Sequence, residues 1–251
     1  MATILDRIVE NKRREIDVTP INESLTFGRQ TVSFKGALLD SPTGIIAEFK
    51  RRSPSRGEIH PLALVQNVVP AYESAGAACC SVLTDTVYFG GALTDLRVAR
   101  SVASLPLLRK DFVISRQQIL QARQAGADAV LLIASILAAD QVEKFTEYAH
   151  VLGLEVLFEI HNADELDRFC PGIDMVGVNN RDLTTFETNP ELCAIVAREL
   201  PDEVVKVAES GLTSMREVRR LRDCGYRGFL IGERFMKHSD PGEALRNFLR
   251  G

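Results

Sequence analysis

The sequence has few features of a metalloprotein or of a disulfide-linked protein. Its five cysteines are an odd number, and no two of them form a Cys-x-x-Cys motif. The four histidines lack the His-x-His and HExxH spacings that bring two ligands onto one metal ion. These absences argue against a disulfide framework and a zinc site, so we predict free thiols that pack as small apolar residues, with no metal ion bound.

Excess basic charge and long apolar runs are also missing. The chain has 30 Lys and Arg residues against 34 Asp and Glu, a formal charge of -4, and the two signs are interspersed. No nucleic-acid partner is expected, because phosphate backbones are bound by clustered Lys and Arg. No apolar run approaches the ~20 residues that cross a bilayer, and the first residues are charged where a signal peptide would be apolar. We therefore expect a cytoplasmic protein that does not bind membranes.

What the sequence does contain is an alternation of short apolar runs and helical segments beyond about residue 44. The starts of the runs recur at intervals of roughly 20 to 35 residues, enough for one strand, one helix and two loops. The eight runs are Ile45–Phe49, Cys79–Leu83, Pro106–Leu108, Ala129–Ile133, Val156–Ile160, Met175–Val178, Val204–Ala208 and Gly228–Ile231. This alternation predicts a parallel sheet with crossover helices, either a (β/α)8 TIM barrel, which we favour, or an open doubly wound sheet.

Helix signals lie between the apolar runs. One helix is predicted over Gln117–Gln124, before Gly126, and another over Met215–Cys224, where Thr213 or Ser214 is the N-cap. No linker rich in Pro, Ser or Gly divides the chain after residue 44, so we predict one domain over residues 1–251.

The first 44 residues differ from the remainder and form a predicted N-terminal helical extension. An amphipathic helix is expected over Ile4–Ile16, followed by a polar connector and a short second helix near Phe34–Leu39. Because both precede the first strand, we expect them to pack on the barrel of residues 45–251 or to cover one of its ends. A partly ordered tail is the alternative.

Polar side chains terminate most of the predicted strands. In a barrel of this type the carboxyl ends of the strands build the active site. Because strand side chains alternate between faces, Glu48 and Lys50, two positions apart, are expected to point the same way. At or just after the ends of the third, fifth, sixth, seventh and eighth runs stand Lys110, Glu159, Asn179, Glu209 and Gly232. Any one of these groups is equally compatible with a surface charge, but their convergence at one opening predicts a catalytic site.

Three loops carry features of a phosphate site. The seventh and eighth runs lead into Glu209-Ser210-Gly211 and Ile231-Gly232-Glu233, where many barrels hold phosphate on backbone amides and a helix N-terminus. The Ser53-Pro54-Ser55-Arg56-Gly57 loop, with Arg51 and Arg52 before it, is compatible with a phosphate-capturing lid or with a plain surface turn. We therefore predict a small phosphorylated substrate.

Five strings of the sequence carry a resemblance to a known family over essentially the whole chain. They are Ile45-Ile-Ala-Glu-Phe-Lys-Arg-Arg-Ser-Pro-Ser-Arg-Gly57, Ser81-Val-Leu-Thr-Asp85 with Tyr88-Phe89, Leu108-Arg-Lys-Asp-Phe112, Val178-Asn-Asn-Arg-Asp-Leu183 and Ala208-Glu-Ser-Gly211. In this order they resemble the indole-3-glycerol phosphate synthase family. The departures, Arg51, Arg52, Arg56 and the Cys79-Cys80 pair, lie outside the implied chemistry.

The resemblance implies a reaction without a cofactor. In that family 1-(2-carboxyphenylamino)-1-deoxyribulose 5-phosphate is cyclised with loss of CO2 and water, a step of tryptophan biosynthesis. By resemblance, Lys110 is the general acid of ring closure, and Lys50 pairs with the substrate carboxylate or also donates a proton. Glu159 acts as base or acid in the dehydration. The division of labour among these three residues stays open.

The resemblance also implies the binding residues. Glu48, Asn179 and Glu209 hold the catalytic groups and the sugar hydroxyls, and Phe89 and Phe112 form walls for the anthranilate ring. The phosphate is assigned to Ser53, Gly211, Gly232 and the amides of Ser210 and Glu233, and Arg181 is carried over as a further binding residue. The expected form is a monomer or a weak homo-oligomer.

Two rival functions remain open at this point. One is another phosphate-binding barrel, such as a sugar-phosphate isomerase or an aldolase that forms a Schiff base on Lys110 or Lys50. The other is a non-catalytic barrel that has kept the fold, which the presence of every polar residue at the strand ends disfavours.

Overall fold

Eight parallel strands close into a barrel in the computed structural model, which describes residues 3–18, 27–182, 185 and 187–251. The strands are β1 (Ile45–Phe49), β2 (Cys79–Leu83), β3 (Leu107–Lys110), β4 (Ala129–Ile133), β5 (Glu155–Ile160), β6 (Met175–Asn179), β7 (Val205–Glu209) and β8 (Tyr226–Ile231). Each strand pairs with the next, and β1 pairs with β8, Ile45 opposite Phe229 and Ile46 opposite Leu230. This closure confirms the TIM barrel and excludes the open sheet.

Helices follow the strands in the order that the sequence pattern predicts. They are α1 (Ile4–Val18), α2 (Phe34–Asp40), α3 (Val65–Ala75), α4 (Thr86–Phe89), α5 (Leu93–Val102), α6 (Arg116–Gln124), α7 (Ala139–Val151), α8 (Leu192–Val196), α9 (Met215–Asp223), α10 (Glu233–Met236) and α11 (Pro241–Arg250), with 3-10 helices at Ala134–Ile136 and Ala163–Arg168. Within the described residues, every helix is too short or too polar to span a lipid bilayer.

Two predicted helix boundaries have clear local causes. Ser214 is the N-cap of α9, because its side chain accepts the amide of Glu217 and the Glu217 carboxylate accepts the Ser214 amide in return. After α6 the chain turns through Gly126 at φ 91°, a left-handed conformation that favours glycine. Both helices lie where the sequence predicts them. Most of the predicted polar connector, residues 19–26, and Leu183 lie outside the described residues.

The strands are apolar because both of their faces are covered. Every residue of β1, β2, β4 and β6 is buried. One set of side chains packs outward against the helices, and the other fills the barrel interior, where Ile46, Leu108, Leu131, Leu157 and Val207 belong to one cluster. Two-sided burial explains why continuous apolar runs, rather than alternating ones, marked the strands in the sequence.

The N-terminal extension covers both ends of the barrel. At the end where the strands begin, the α2 residues Phe34 and Leu38 are fully buried in the interior cluster. The hydroxyl of Ser33 and the amide of Lys35 each donate a hydrogen bond of 2.6 Å to Glu155, the first residue of β5. At the opposite end, Ile4, Leu5 and Ile8 of α1 line the barrel mouth. The expected docking of the extension is therefore confirmed.

The closure of the barrel base by α2 can be tested with two adjacent leucines. Leu38→Ala removes a side chain that is 0% exposed, whereas Leu39→Ala truncates one that is 51% exposed. Leu38→Ala should lower the free energy of unfolding by about 2–5 kcal/mol, because a cavity opens in the core. Leu39→Ala should change it by less than about 0.5 kcal/mol. Urea unfolding followed by circular dichroism measures both, and equal midpoints would contradict the burial of α2.

Candidate active site

The carboxyl ends of the strands surround a cavity of about 460 Å³. This volume suits a small-molecule ligand. The predicted residues that line it are Glu48, Lys50, Ser53, Phe89, Lys110, Phe112, Glu159, Asn179, Arg181, Ser210, Gly211, Gly232 and Glu233. Glu209 does not line the cavity but contacts Lys110. The closed barrel thus brings the predicted set together from all parts of the chain.

Lys110 stands at the centre of this mouth, at the end of β3. Its Nζ donates a hydrogen bond of 2.7 Å to Glu209 Oε2 and lies 3.5 Å from Glu48 Oε2 and 3.7 Å from Glu159 Oε2. Burial alone would lower the pKa of Lys110, but the three carboxylates raise it above its ordinary value. Lys110 is therefore an ammonium group with acidic neighbours on three strands.

Lys50 forms a second ion pair at the rim of the mouth. Its Nζ lies 2.6 Å from Glu48 Oε1, so the two side chains point the same way, as their spacing predicts. Burial works to raise the pKa of Glu48, but Lys50 and Lys110 together hold it below its ordinary value. Glu48 is thus a carboxylate that both lysines share.

Glu159 and Glu209 are buried carboxyl groups whose pKa values move in opposite directions. Burial raises both, but Lys110, His161 and the amide of Asn179, which donates a bond of 3.2 Å to Oε1, lower the pKa of Glu159 to about 2. Burial and the nearby charge of Glu159 raise the pKa of Glu209 to about 8, although Lys110 opposes this. Glu209 therefore binds a proton more readily than Glu159, a difference in pKa that is typical of acid and base pairs.

The segments that follow β7 and β8 have the backbone features of an anion site. After β7, Ser210 has φ 63°, the one positive φ of a non-glycine residue among those described, and Gly211 follows at φ 74°. Such strained backbone persists where the surrounding structure enforces it, and it often lies at functional sites. At the end of β8 a Cβ on Gly232 would lie 2.4 Å from Glu48 Oε1, so only glycine fits there.

A short hairpin closes over this side of the cavity. Its strands, Arg52–Ser53 and Gly57–Glu58, carry Ser53 into the wall. Arg56 Nε lies 3.1 Å and Arg181 Nη2 3.5 Å from the carboxylate of Glu233, and Arg181 also donates to the hydroxyl of Ser55. These contacts connect the hairpin with the ends of β6 and β8.

Only one of the three arginines predicted beside this loop lines the cavity, namely Arg56. Arg51 turns away from it, because its guanidinium binds Asp95 at 2.6 and 2.9 Å and the carbonyl of Ala63 at 3.0 Å. Arg51 therefore anchors the base of the hairpin to α5 and does not add charge to the cavity.

Another part of the cavity is lined by an apolar wall. The rings of Phe89 and Phe112 lie 6.0 Å apart between centroids, a tilted aromatic pair. Leu131 and Ile133 of β4, together with the α1 residues, complete this wall. The cavity therefore has an apolar end and a polar, cation-bearing end.

Lys12 is a contributor that the sequence reasoning missed. It is 3% exposed, and its Nζ lies 3.0 Å from both Asp85 and Asp111. Asp85 accepts the amide of Phe89, and Asp111 accepts that of Phe112, so Lys12 ties α1 to the turns that carry the aromatic wall. The available signal was its position: Ile4, Ile8 and Lys12 stand on one face of the helix at intervals of four residues.

His161 is the second residue that the sequence reasoning did not place at the site. It follows β5 directly, and its Nε2 lies 3.3 Å from Glu159 Oε1 while its Nδ1 lies 3.6 Å from Glu165 Oε2. The signal was again alternation, because His161 stands two positions after Glu159, as Lys50 does after Glu48. Within the described residues no cluster of three or more His, Cys, Asp or Glu residues could hold a metal ion.

Comparison with known proteins identifies close sequence relatives. Residues 5–248 match the sequence model of a family described as Indole-3-glycerol phosphate synthase. A curated indole-3-glycerol phosphate synthase from Bacteroides thetaiotaomicron is 48% identical over 257 residues, covering 100% of this chain and 99% of the relative.

Solved structures with similar backbones are more distant in sequence. Thiamine phosphate pyrophosphorylase from Pyrococcus furiosus superposes with a TM-score of 0.62 at 15% identity, over 87% of this chain and 96% of that one. A mutant tryptophan synthase alpha-subunit from the same organism gives 0.60 at 15% identity, over 83% and 96%. At these identities the likeness concerns the fold alone.

The contribution of Lys12 can be tested by Lys12→Met. The substitution leaves Asp85 and Asp111 buried without this cation, so the free energy of unfolding should fall by about 3–5 kcal/mol. The control is Lys144→Met, since Lys144 is 61% exposed in an ion pair with Asp140 and should contribute less than about 0.5 kcal/mol. Both are measured by urea unfolding. Equal stability of the two variants would contradict a structural role for Lys12.

Proposed function

The chain belongs to the indole-3-glycerol phosphate synthase family, and on this basis we propose how its barrel mouth performs the family's reaction. The enzyme is a carboxy-lyase of tryptophan biosynthesis. It converts 1-(2-carboxyphenylamino)-1-deoxyribulose 5-phosphate into indole-3-glycerol phosphate, with release of CO2 and water. The observation that carries the assignment of roles is the cluster in which Lys110 meets carboxylates from three strands.

Lys110 is the general acid of ring closure. Because CO2 leaves from the aromatic ring, the new carbon–carbon bond forms at the carboxyl-bearing ring carbon, which attacks the ketone of the ribulose chain. The ketone oxygen gains negative charge and takes a proton from the Lys110 ammonium. Glu209, whose pKa is raised and whose carboxyl group lies 2.7 Å away, is placed to return a proton to the resulting amine.

Lys50 binds the carboxylate of the substrate before it leaves as CO2. Two features support this role: Lys50 lies at the cavity rim, and Glu48 holds it at 2.6 Å. An ammonium group fixed next to the departing carboxylate orients it, and its pairing with Glu48 keeps the cation stable in the partly buried site.

Glu159 is the base of the dehydration step. Loss of the ring hydroxyl as water requires removal of one proton from the new five-membered ring, and an ionised carboxylate can accept it. Asn179 and His161 both contact Glu159 Oε1, whereas Oε2 has no hydrogen bond among the described residues. Oε2 lies 3.7 Å from Lys110 Nζ, so the base stands beside the acid of ring closure.

The phosphate and the anthranilate ring occupy opposite ends of the cavity. The hydroxyl of Ser53 and the backbone amides at Ser210, Gly211, Gly232 and Glu233 bind the phosphate, supported by the positive charge of Arg56 and Arg181. Phe89 and Phe112 cover the aromatic ring. This polarity allows one orientation of the substrate, with its ketone near Lys110.

Residues 1–251 act as one domain, as a monomer or weak homo-oligomer in the cytoplasm. One observation supports the single domain: the extension packs into the same interior cluster as the strands.

The role of Lys110 is tested by Lys110→Ala. Mixed with the carboxyphenylamino ribulose phosphate, the wild-type protein should give strong indole fluorescence, and kcat of the variant should fall about 10²–10⁴-fold because the proton donor is lost. Lys144→Ala, on the exposed surface of α7, is the control and should retain full activity. Circular dichroism verifies that both are folded. Comparable turnover by Lys110→Ala would mean that the acid is another group.

The phosphate assignment is tested by Ser53→Ala. Loss of a hydrogen bond to a charged phosphate should raise KM about tenfold or more while kcat changes less, because the phosphate is remote from the bonds that break. Ser101→Ala is the matched control, since the Ser101 hydroxyl donates to the carbonyl of Val98 on the exposed face of α5. An unchanged KM in Ser53→Ala would contradict the assignment of the hairpin to the phosphate site.

A further inference from the structure

His161 lies between two buried carboxylates behind the cavity. We propose that His161 is a positioning residue, an imidazolium ion that holds the Glu159 side chain in place and keeps it ionised. The inference deepens the proposed function, because it rests on Glu159 as the base of dehydration. No contact between His161 and the substrate is required, since the histidine acts through Glu159.

The positions of the two ring nitrogens favour the charged form. Nε2 lies 3.3 Å from Glu159 Oε1, and Nδ1 lies 3.6 Å from Glu165 Oε2. A neutral imidazole has one N–H and one lone pair, so it would turn a lone pair toward one of the two carboxylates. The imidazolium presents an N–H to both. These are ion-pair distances, and their attraction depends on the positive charge of the ring.

Glu165 is fixed in place independently of the histidine ring. Its Oε2 accepts the backbone amide of His161 at 2.7 Å, and its own amide donates to Asn162 Oδ1 at the start of the 3-10 helix Ala163–Arg168. The carboxylate is therefore part of the backbone turn that follows β5. His161 is placed between this carboxylate and that of Glu159 by the chain itself.

The charges next to His161 also favour its protonated form. Glu159 and Glu165 are both buried, and Lys110, which lies 3.7 Å from Glu159, is shared with Glu48 and Glu209. An imidazolium adds a positive charge beside both Glu159 and Glu165, and buried charges without partners are strongly disfavoured.

The pKa values agree with this geometry. Burial works to lower the pKa of His161, but Glu159 and Glu165 raise it to about 10. The pKa of Glu159 is lowered to about 2 in the same pair. Since the folded-state value of His161 lies above its ordinary 6.5, the charged ring stabilises the fold fully below pH 6.5 and loses this effect as the pH rises through about 10.

The protonation state is measured directly by long-range 1H–15N NMR of the four histidine rings, without any use of activity. The His161 signals are those that disappear in His161→Gln. In the wild type both ring nitrogens should keep their protons from pH 6 to pH 9. In the Glu159→Gln, Glu165→Gln double variant the ring should titrate at or below its ordinary pKa of about 6.5, because burial then acts without the two carboxylates. A neutral His161 at pH 7.5 in the wild type would overturn the proposal.

A pH profile tests the effect on Glu159. In His161→Gln the pKa of Glu159 should rise, so kcat should fall about tenfold more between pH 8 and pH 5 than it does in the wild type. His161→Lys, which restores a cation, should recover part of the activity at pH 5. His150→Gln is the control, because His150 forms its ion pair with Asp174 on the barrel exterior and should leave the profile unchanged.

The proposed role of Glu159 and the inference about His161 would be contradicted by different results. If Glu159→Gln retains wild-type turnover, Glu159 is not the base and the proposed function is at fault, while the NMR result still decides the charge of His161. If Glu159→Gln is inactive and His161→Gln loses the same fraction of kcat at every pH, His161 has a merely structural role and the inference is overturned. Should His161→Gln fail to fold, the His161 signals are those retained in each of the variants His60→Gln, His150→Gln and His238→Gln, and the wild-type NMR titration decides.

Discussion

The cluster in which Lys110 meets three carboxylates is the interaction on which the barrel mouth depends. Its partners Glu48, Glu159 and Glu209 stand on β1, β5 and β7, at 3.5, 3.7 and 2.7 Å from Nζ. None of these groups is stable in a buried site alone, since a buried charge needs a partner. Because the partners come from strands far apart in sequence, they compensate one another only when the ring of strands is closed. Barrel closure and assembly of the site are therefore one event.

Glycine residues leave space for this cluster, and the N-terminal extension covers both ends of the barrel that contains it. A Cβ on Gly177 would lie 2.3 Å from Glu209 Oε1, and one on Gly232 would lie 2.4 Å from Glu48 Oε1. Glycine on β6 and after β8 thus allows the carboxylates to pack beside the backbone. The extension reaches both ends of the same interior, with Leu38 at its base and Lys12 beside the aromatic wall. The helices before the barrel are consequently part of the site as well as of the core.

The strands and most of the site could be predicted from sequence, and the differences have local physical causes. Two-sided burial made the strands visible as apolar runs. The third run was placed at Pro106–Leu108, but β3 extends through Lys110, because the polar Arg109 and Lys110 have buried partners that local sequence does not reveal. The eighth run missed the first two residues of β8, where exposed Arg227 and a register shift interrupt the apolar pattern.

Residues whose role depends on distant charges could not be found in the same way. Lys12 contacts Asp85 and Asp111, and their sequence positions do not reveal that they meet. The partners of Arg51 are likewise known only from the fold, in which its guanidinium binds Asp95 outside the cavity. Polar residues at strand ends are predictable because the topology alone brings them together, whereas ion pairs with helices and loops require three-dimensional packing.

The difference in pKa between Glu159 and Glu209 explains how one buried mouth can both donate and accept protons. Each carboxyl group is buried and near Lys110, so burial and this lysine do not distinguish them. Their other neighbours distinguish them. The amide of Asn179 and the ring of His161 lower the pKa of Glu159, whereas the charge of Glu159 raises the pKa of Glu209. The negative charge of Glu159 raises the pKa of Glu209, so the contacts of Asn179 and His161 with Glu159 also influence Glu209. Both groups are glutamates, so their acid and base roles depend on their different surroundings in the barrel.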